Sequence, residues 1–238
     1  MRTNDTNGPA HQTDSWASGE SYEHYMGRWS RLVAAEFIVW LGAPPQQHWL
    51  DVGCGTGALI RTILERTSPA TVHGIDPSPS HIGYARNSFR DDRVSFDVGT
   101  VESAQHRSNS NDVVVSGLVL NFMPDPLRAV AHMKRVTRKG GTIAAYVWDY
   151  AGKMELMRYF WNAAAALDQS AIALDEGERF PLCQPEPLKE LFTATGLEGV
   201  DVRPIDIPTR FNDFEDYWTP FLGGQGPAPG YTLSLIHI

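Results

Sequence analysis

The sequence predicts an α/β fold, a doubly wound and mostly parallel sheet with helices on its faces. Three observations carry this. Apolar runs suited to buried strands alternate with helical patterns through short connections. The run HWLDVGCGTGALI, His48 to Ile60, joins such a strand to a helix through three glycines. Finally, 238 residues suffice for one sizeable α/β domain with its own core.

The elements follow in order. Residues 1–20, rich in Asn, Thr, Ser and Gly, have little to bury and read as disordered. A domain is expected over residues 21–232. It opens on a helical segment with Tyr22, Tyr25, Met26 and Trp29 near helical spacing, then Leu32, Val33, Phe37, Ile38 and Leu41 as an apolar face. GAPPQQ ends that helix, because proline removes a donor and disfavours a helical residue before it. Trp49, Leu50 and Val52 suit a buried strand. Gly53, Gly55 and Gly57 then let the backbone turn and leave no side chain between loop and ligand. Leu59, Ile60, Ile63 and Leu64 mark one face of the next helix, whose first amides point at the loop and favour a carboxylate or phosphate.

A second strand ends at Asp76, and Pro77-Ser78 lead into the next helix. RVSFDVG is a third strand, turning at Gly99, Thr100 and Val101. A fourth runs from Asp112 to Ser116, followed by a helix begun by Asp125-Pro126 and stopped by Gly140-Gly141. TIAAYVWDY is the fifth strand. A helical insert over about 151–185, a further helix, and EGVDVRPIDIP as a sixth strand complete the pattern. Phe211, Phe214, Tyr217, Trp218 and Phe221 read as a hydrophobic patch covering the sheet.

Asp51 decides which ligand the glycine loop takes. Gly53 to Ala58 also fits the dinucleotide pattern G-x-G-x-x-A, with a pyrophosphate on the helix start. Asp51 would then face a diphosphate; at roughly 5 Å and an effective dielectric of about 20, like unit charges repel by about 3 kcal/mol. A ligand carrying an ammonium and a sulfonium is attracted instead. The pattern D-x-G-x-G-x-G, with Cys54 and Thr56 between its glycines, resembles the first motif of class I S-adenosylmethionine-dependent methyltransferases of the type 11 kind. The alternative for the loop itself is a glycine-rich turn without a ligand.

The resemblance implies a Rossmann-like sheet and S-adenosyl-L-methionine as cofactor. Asp76 would accept hydrogen bonds from both ribose hydroxyls, or else cap the helix after Pro77 together with Ser78. At the third turn the family carries an acid that reads the adenine edge; here Thr100 stands in its place, between Gly99 and Val101, and brings no charge. Ser116, Gly117 and Leu118 fall at the end of the fourth strand, facing the cofactor crevice. Tyr22, Tyr25, Met26 and Arg28 belong to the segment that caps the pocket in the family, the alternative being an amphipathic helix packed on the domain. Asn121, Trp148 and Asp149 are substrate-pocket candidates, set against a loop-stabilising bond for Asn121 and core packing beside Trp148.

Bulk properties narrow the partners. A net charge of -8 without a basic run argues against nonspecific nucleic-acid binding, and no polybasic stretch suggests a membrane tether. Cys54 and Cys183 lack a metal-ligand spacing, so neither zinc site nor disulfide scaffold is indicated. Without a signal-peptide core or a membrane-length apolar run, a cytoplasmic location is the expectation.

Leu233 to Ile238 have no place in the preceding pattern. They equal the in-frame translation of CTGTCTCTTATACACATC, a transposon end used in sequencing libraries. The expectation is a non-native tail over 233–238 and a native chain cut near Thr232. Family members carry one more helix and a seventh strand between strands five and six; without them, exposed sheet edges remain.

The expected activity is methyl transfer from S-adenosylmethionine to a small-molecule acceptor, by in-line displacement and with no base named. The alternatives are an NAD(P)-dependent oxidoreductase and a noncatalytic cofactor-binding protein.

Overall fold

The computed structural model describes residues 26–102, 108–223 and 226–236. The segment 1–20, Tyr22, Tyr25 and the last two residues of the tail lie outside the described residues. Five strands, β1 (His48–Val52), β2 (Thr71–Asp76), β3 (Val94–Val98), β4 (Asn111–Gly117) and β5 (Thr137–Tyr146), form one sheet in the order β3-β2-β1-β4-β5. Every pairing is parallel. Because β1 lies between β2 and β4, crossovers leave it in opposite directions, and a crevice opens at the strands' carboxyl ends.

Alternation along β1 divides the core between two faces. Trp49 packs with Val33 and Phe37 of α1 (Arg28–Leu41), with Ile60 and Ile63 of α2 (Ala58–Arg66), and with Ile82 of α3 (Pro79–Ser88). Leu50 and Val52 point the other way, onto Met133 and Val136 of α4 (Pro126–Val136). Burying each such side chain contributes about 1.5–3 kcal/mol, so this alternation alone fixes the strand's register.

Beyond β5 the chain forms α5 (Glu155–Leu167), α6 (Glu176–Arg179), α7 (Pro185–Ala194), α8 (Phe214–Trp218) and α9 (Pro227–Ile236). Met157, Phe160 and Trp161 of α5 make a separate cluster with Phe221, Ala228 and Tyr231. Residues 233–235 simply continue α9.

Three expectations are corrected. The helix before β5 stops at Val136, not at Gly140-Gly141. Thr137 is already extended and pairs with Asn111, and a register irregularity absorbs the glycines inside the strand. The aromatic patch over 211–221 covers the helical insert rather than the sheet: Phe221 stacks on Phe160 at 4.6 Å, and Tyr217 donates to the Leu156 carbonyl at 2.9 Å. The sixth strand is absent from the sheet among the described residues. Residues 198–207 and the second half of β5 line a common cavity of about 950 Å³, and among the described residues β5 pairs with β4 alone.

Candidate functional site

A second cavity, about 360 Å³, lies at the carboxyl ends of β1, β2 and β4. Its floor is the glycine loop. Gly53, Gly55 and Gly57 have φ of 75°, 53° and 91°, so the loop turns through the left-handed region at each of them. A methyl group added at Gly57 would strike the Phe89 ring at 2.6 Å, whereas at Gly55 it would meet nothing within 4 Å. Gly57 is thus required by packing, and Gly55 keeps a space open. The loop is tied to the next strand, since the amides of Gly53 and Cys54 both donate to the Ile75 carbonyl.

Asp51 lines this cavity, is 1 % exposed, and has no hydrogen-bond partner on either carboxylate oxygen among the described residues. Burial first, and the charge of Asp76 second, push its carboxyl up to about 8. Asp76 is the opposite case. Its Oδ2 accepts from the Gly55 amide at 3.0 Å and its Oδ1 from the Ser78 amide at 2.9 Å, with His81 Nδ1 at 3.5 Å. Burial pushes its carboxyl up, but the His81, Ser78 and Gly55 bonds outweigh this and hold it below the ordinary carboxylate value.

Ser78 caps α3, its hydroxyl accepting from the His81 amide at 3.3 Å. That capping turn aims His81 back at the strand ends, where it lines the cavity. The sequence does carry this signal, because a residue three after a cap points toward the helix start. At the end of β4, Gly117 and Leu118 line the opposite wall, and Leu118 holds a φ of 60° that a bulky residue rarely adopts.

Of the other residues singled out from the sequence, Cys54, Thr56, Pro77, Ser78, Met26 and Trp148 line the cavity, and the rest of those among the described residues do not. Val101 is core, packed against Leu50 and Val52. Gly99 donates its amide to the Asp76 carbonyl at 3.0 Å, and Thr100 lies on the same turn outside the cavity wall. Ser116 points into the sheet's interior with a fully buried hydroxyl. Asn121 sits on a single helical turn, Leu120–Phe122, whose Phe122 lines the cavity while Asn121 does not. Asp149 accepts from the amides of Gly152 and Lys153 and caps a tight turn. Arg28 pairs with Asp216 at 2.9 Å and lies over the rings of Trp29 and Phe211, turned from the cavity. Burial raises the Cys54 thiol, with Asp51 and Asp76 adding to the effect, and it pushes Cys183 up to about 12, so neither is a ready nucleophile.

Sequence reasoning missed the wall opposite the glycine loop. Tyr150, Met154, Met157 and Glu176, all from the segment after β5, close the cavity there. Their positions depend on how the insert folds back, which no local pattern encodes.

A family model described as a methyltransferase domain matches residues 50–145, from β1 to the end of β5. Over that stretch the chain is similar to a methyltransferase domain. The malonyl-[acyl-carrier protein] O-methyltransferase of Acetivibrio thermocellus is 28 % identical over 158 residues, covering 64 % of this chain and 53 % of that protein. A ubiquinone biosynthesis O-methyltransferase of Agrobacterium fabrum is 29 % identical over 171 residues, covering 71 % and 65 %. The chain spans about half the length of the first of these relatives.

Among solved structures, a chain of the complex between the Haloferax volcanii Trm112 methyltransferase activator and a methyltransferase superposes with a TM-score of 0.60 at 21 % identity, covering 85 % of this chain and 90 % of that one. That likeness bears on the fold alone. No helix among the described residues is long and apolar enough to cross a membrane.

S-adenosyl-L-methionine is the cofactor of the methyltransferases that this sequence resembles, and the cavity fits it. The orphaned Asp51 carboxyl needs a cationic or donor group. Each Asp76 oxygen keeps acceptor capacity for a ribose hydroxyl beyond the bond it already receives. Gly55 leaves the cradle open on the same side.

Proposed function

We propose that this chain transfers the methyl group of S-adenosyl-L-methionine to a small-molecule acceptor held at the end of the cavity remote from the glycine loop. The observation that carries this reading is Asp51, a buried acid with no partner, facing a cavity of about 360 Å³. A cation beside it favours its ionised form and satisfies it, and in that form it repels a diphosphate.

When bound, the cofactor supplies an electrophilic methyl group on a cationic sulfur. Asp51 holds the cationic amino-acid end, and Asp76 receives the ribose hydroxyls. The first amides of α2 offer donors to a carboxylate. Met26, Leu118, Met154 and Met157 give the cavity an apolar wall, beside which a positive charge is less well solvated than in open water. Alignment in a dry site supplies much of the acceleration.

The test is incubation of the protein with methyl-labelled cofactor and a metabolite extract. Label appearing in a small-molecule fraction, dependent on Asp51 and Asp76, is the expected result. Its absence, in a protein that binds S-adenosylhomocysteine normally, would leave a noncatalytic binding protein.

A further inference from the structure

We propose that Glu176 selects the methyl acceptor: it receives a neutral hydroxyl or an amine, and rejects a carboxylate, at the wall of the cavity facing the glycine loop. This rests on the methyl-transfer reading above. Glu176 is 5 % exposed overall yet lines the same cavity as Asp51 and Gly55. Around it that wall is made of Met154, Met157 and Tyr150, apolar surface with one acidic head group among them.

The placement is fixed from two sides. Trp161, 1 % exposed, donates its indole N–H to Glu176 Oε2 and holds the carboxyl in one orientation. The first turn of α6 lies against the chain leaving β5, since a methyl group at Gly177 would stand 3.1 Å from Ala151 Cα and 3.3 Å from the Tyr150 carbonyl. Glu176 is thereby brought over the carboxyl end of the sheet, where the cofactor's reactive end must be reached.

The charges around it leave the role open to this acid. Asp175 is engaged by Arg158 and by the Gly177 amide, Arg179 is the cation near Glu176 on its own turn, and Asp51, Asp76 and His81 lie on the other walls. Burial pushes Glu176 up to about 7, the Trp161 bond and Arg179 opposing it and Asp175 adding to it. The group is therefore poised to exchange a proton near neutrality.

The step balances. The carbon–sulfur bond breaks and its electron pair stays on sulfur; the acceptor's oxygen or nitrogen lone pair forms the new bond to the methyl carbon. The acceptor's proton passes to the Glu176 carboxylate and then to solvent. A carboxylate acceptor has no such proton and would place a second negative charge beside Glu176.

The test uses the full chain saturated with S-adenosylhomocysteine at pH 8, where Glu176 is mainly ionised. Three probes of matched size, 2-phenylethylamine, 2-phenylethanol and 3-phenylpropionate, are titrated by saturation-transfer NMR against wild type, Glu176→Gln and Glu176→Asp. The amine and the alcohol are expected to bind wild type roughly tenfold or more tightly than the carboxylate. Glu176→Gln should shrink that preference to within about threefold, and Glu176→Asp should retain part of it.

Equal binding of the carboxylate to wild type, an unchanged preference in Glu176→Gln, or no binding by any probe overturns the proposal. If S-adenosylhomocysteine itself fails to bind wild type, the functional reading falls and this one with it. If it binds and the probes show no preference, this one falls alone. Should Glu176→Gln fail to fold, the wild-type preference decides.

Discussion

Asp51 and Asp76 line one cavity from adjacent parallel strands, and the fold holds their carboxyls in opposite states. Asp76 accepts from two backbone amides and lies beside His81, while Asp51 accepts from nothing among the described residues. The first is thereby kept ionised, and the second awaits a cation. This difference turns a glycine loop that is itself neutral about its ligand into a site with a sign.

Asp51 should tax the stability of the ligand-free protein as pH rises. Its folded-state value, about 8, lies above its ordinary 3.8, so between them the native state binds more protons than the unfolded chain. Stability therefore falls with rising pH across that window, by at most about 1.4 kcal/mol per pH unit, and levels off above it. Glu176, raised from 4.5 to about 7, adds to the same slope. Asp51→Asn is expected to flatten part of it and to melt higher than wild type at pH 8. Denaturation curves recorded from about pH 4.5 to 8.5 check this; parallel pH profiles for the two proteins would count against it.

Cofactor binding should release a proton. At pH 7 the Asp51 carboxyl of the free site is mostly protonated, and a neighbouring ammonium would draw it back to the ionised form. Calorimetry of S-adenosylhomocysteine in two buffers of different ionisation enthalpy should show close to one proton released per ligand. In Asp51→Asn the release should vanish, with affinity lowered by roughly 10–100-fold. Identical heats in both buffers for wild type would mean that Asp51 does not change state.

Two glycines should fail in different ways. Gly57→Ala drives a methyl group to 2.6 Å from the Phe89 ring at a φ of 91°, so a loss of about 2 kcal/mol or more in stability is expected. Gly55→Ala meets no protein atom within 4 Å and carries only the left-handed penalty, about 1–2 kcal/mol, but its methyl group enters the cradle. Its expected signature is a modest melting shift with more than tenfold weaker binding of S-adenosylhomocysteine. Equal binding by Gly55→Ala and wild type would show that the loop is not the ligand's floor.

Much of the fold was legible because it is local. The alternation of Trp49 with Leu50 and Val52, the glycines after Asp51, and the Ser78 and Asp125 caps each announce an element within a few residues of themselves. The boundary between α4 and β5 was misplaced because pairing of Thr137 with Asn111 outweighed the breaking tendency of Gly140-Gly141. The sixth strand was misread for the same reason: an extended, alternating sequence states a preference, and a partner decides whether it pairs. In the site, the glycine-loop side could be read, since Asp51 and Asp76 end strands. The acceptor side could not, because Met154, Met157 and Glu176 arrive there by the folding-back of α5 and α6 over the sheet.

The most direct measurement of the central claim is a calorimetric titration of the wild-type chain at pH 7 with S-adenosylhomocysteine and, in parallel, with NADH. Binding of S-adenosylhomocysteine at one site, weakened roughly 10–100-fold in Asp51→Asn, with no heat from NADH, is the expected result. Binding of NADH in preference, or tighter in Asp51→Asn than in wild type, would contradict the assignment.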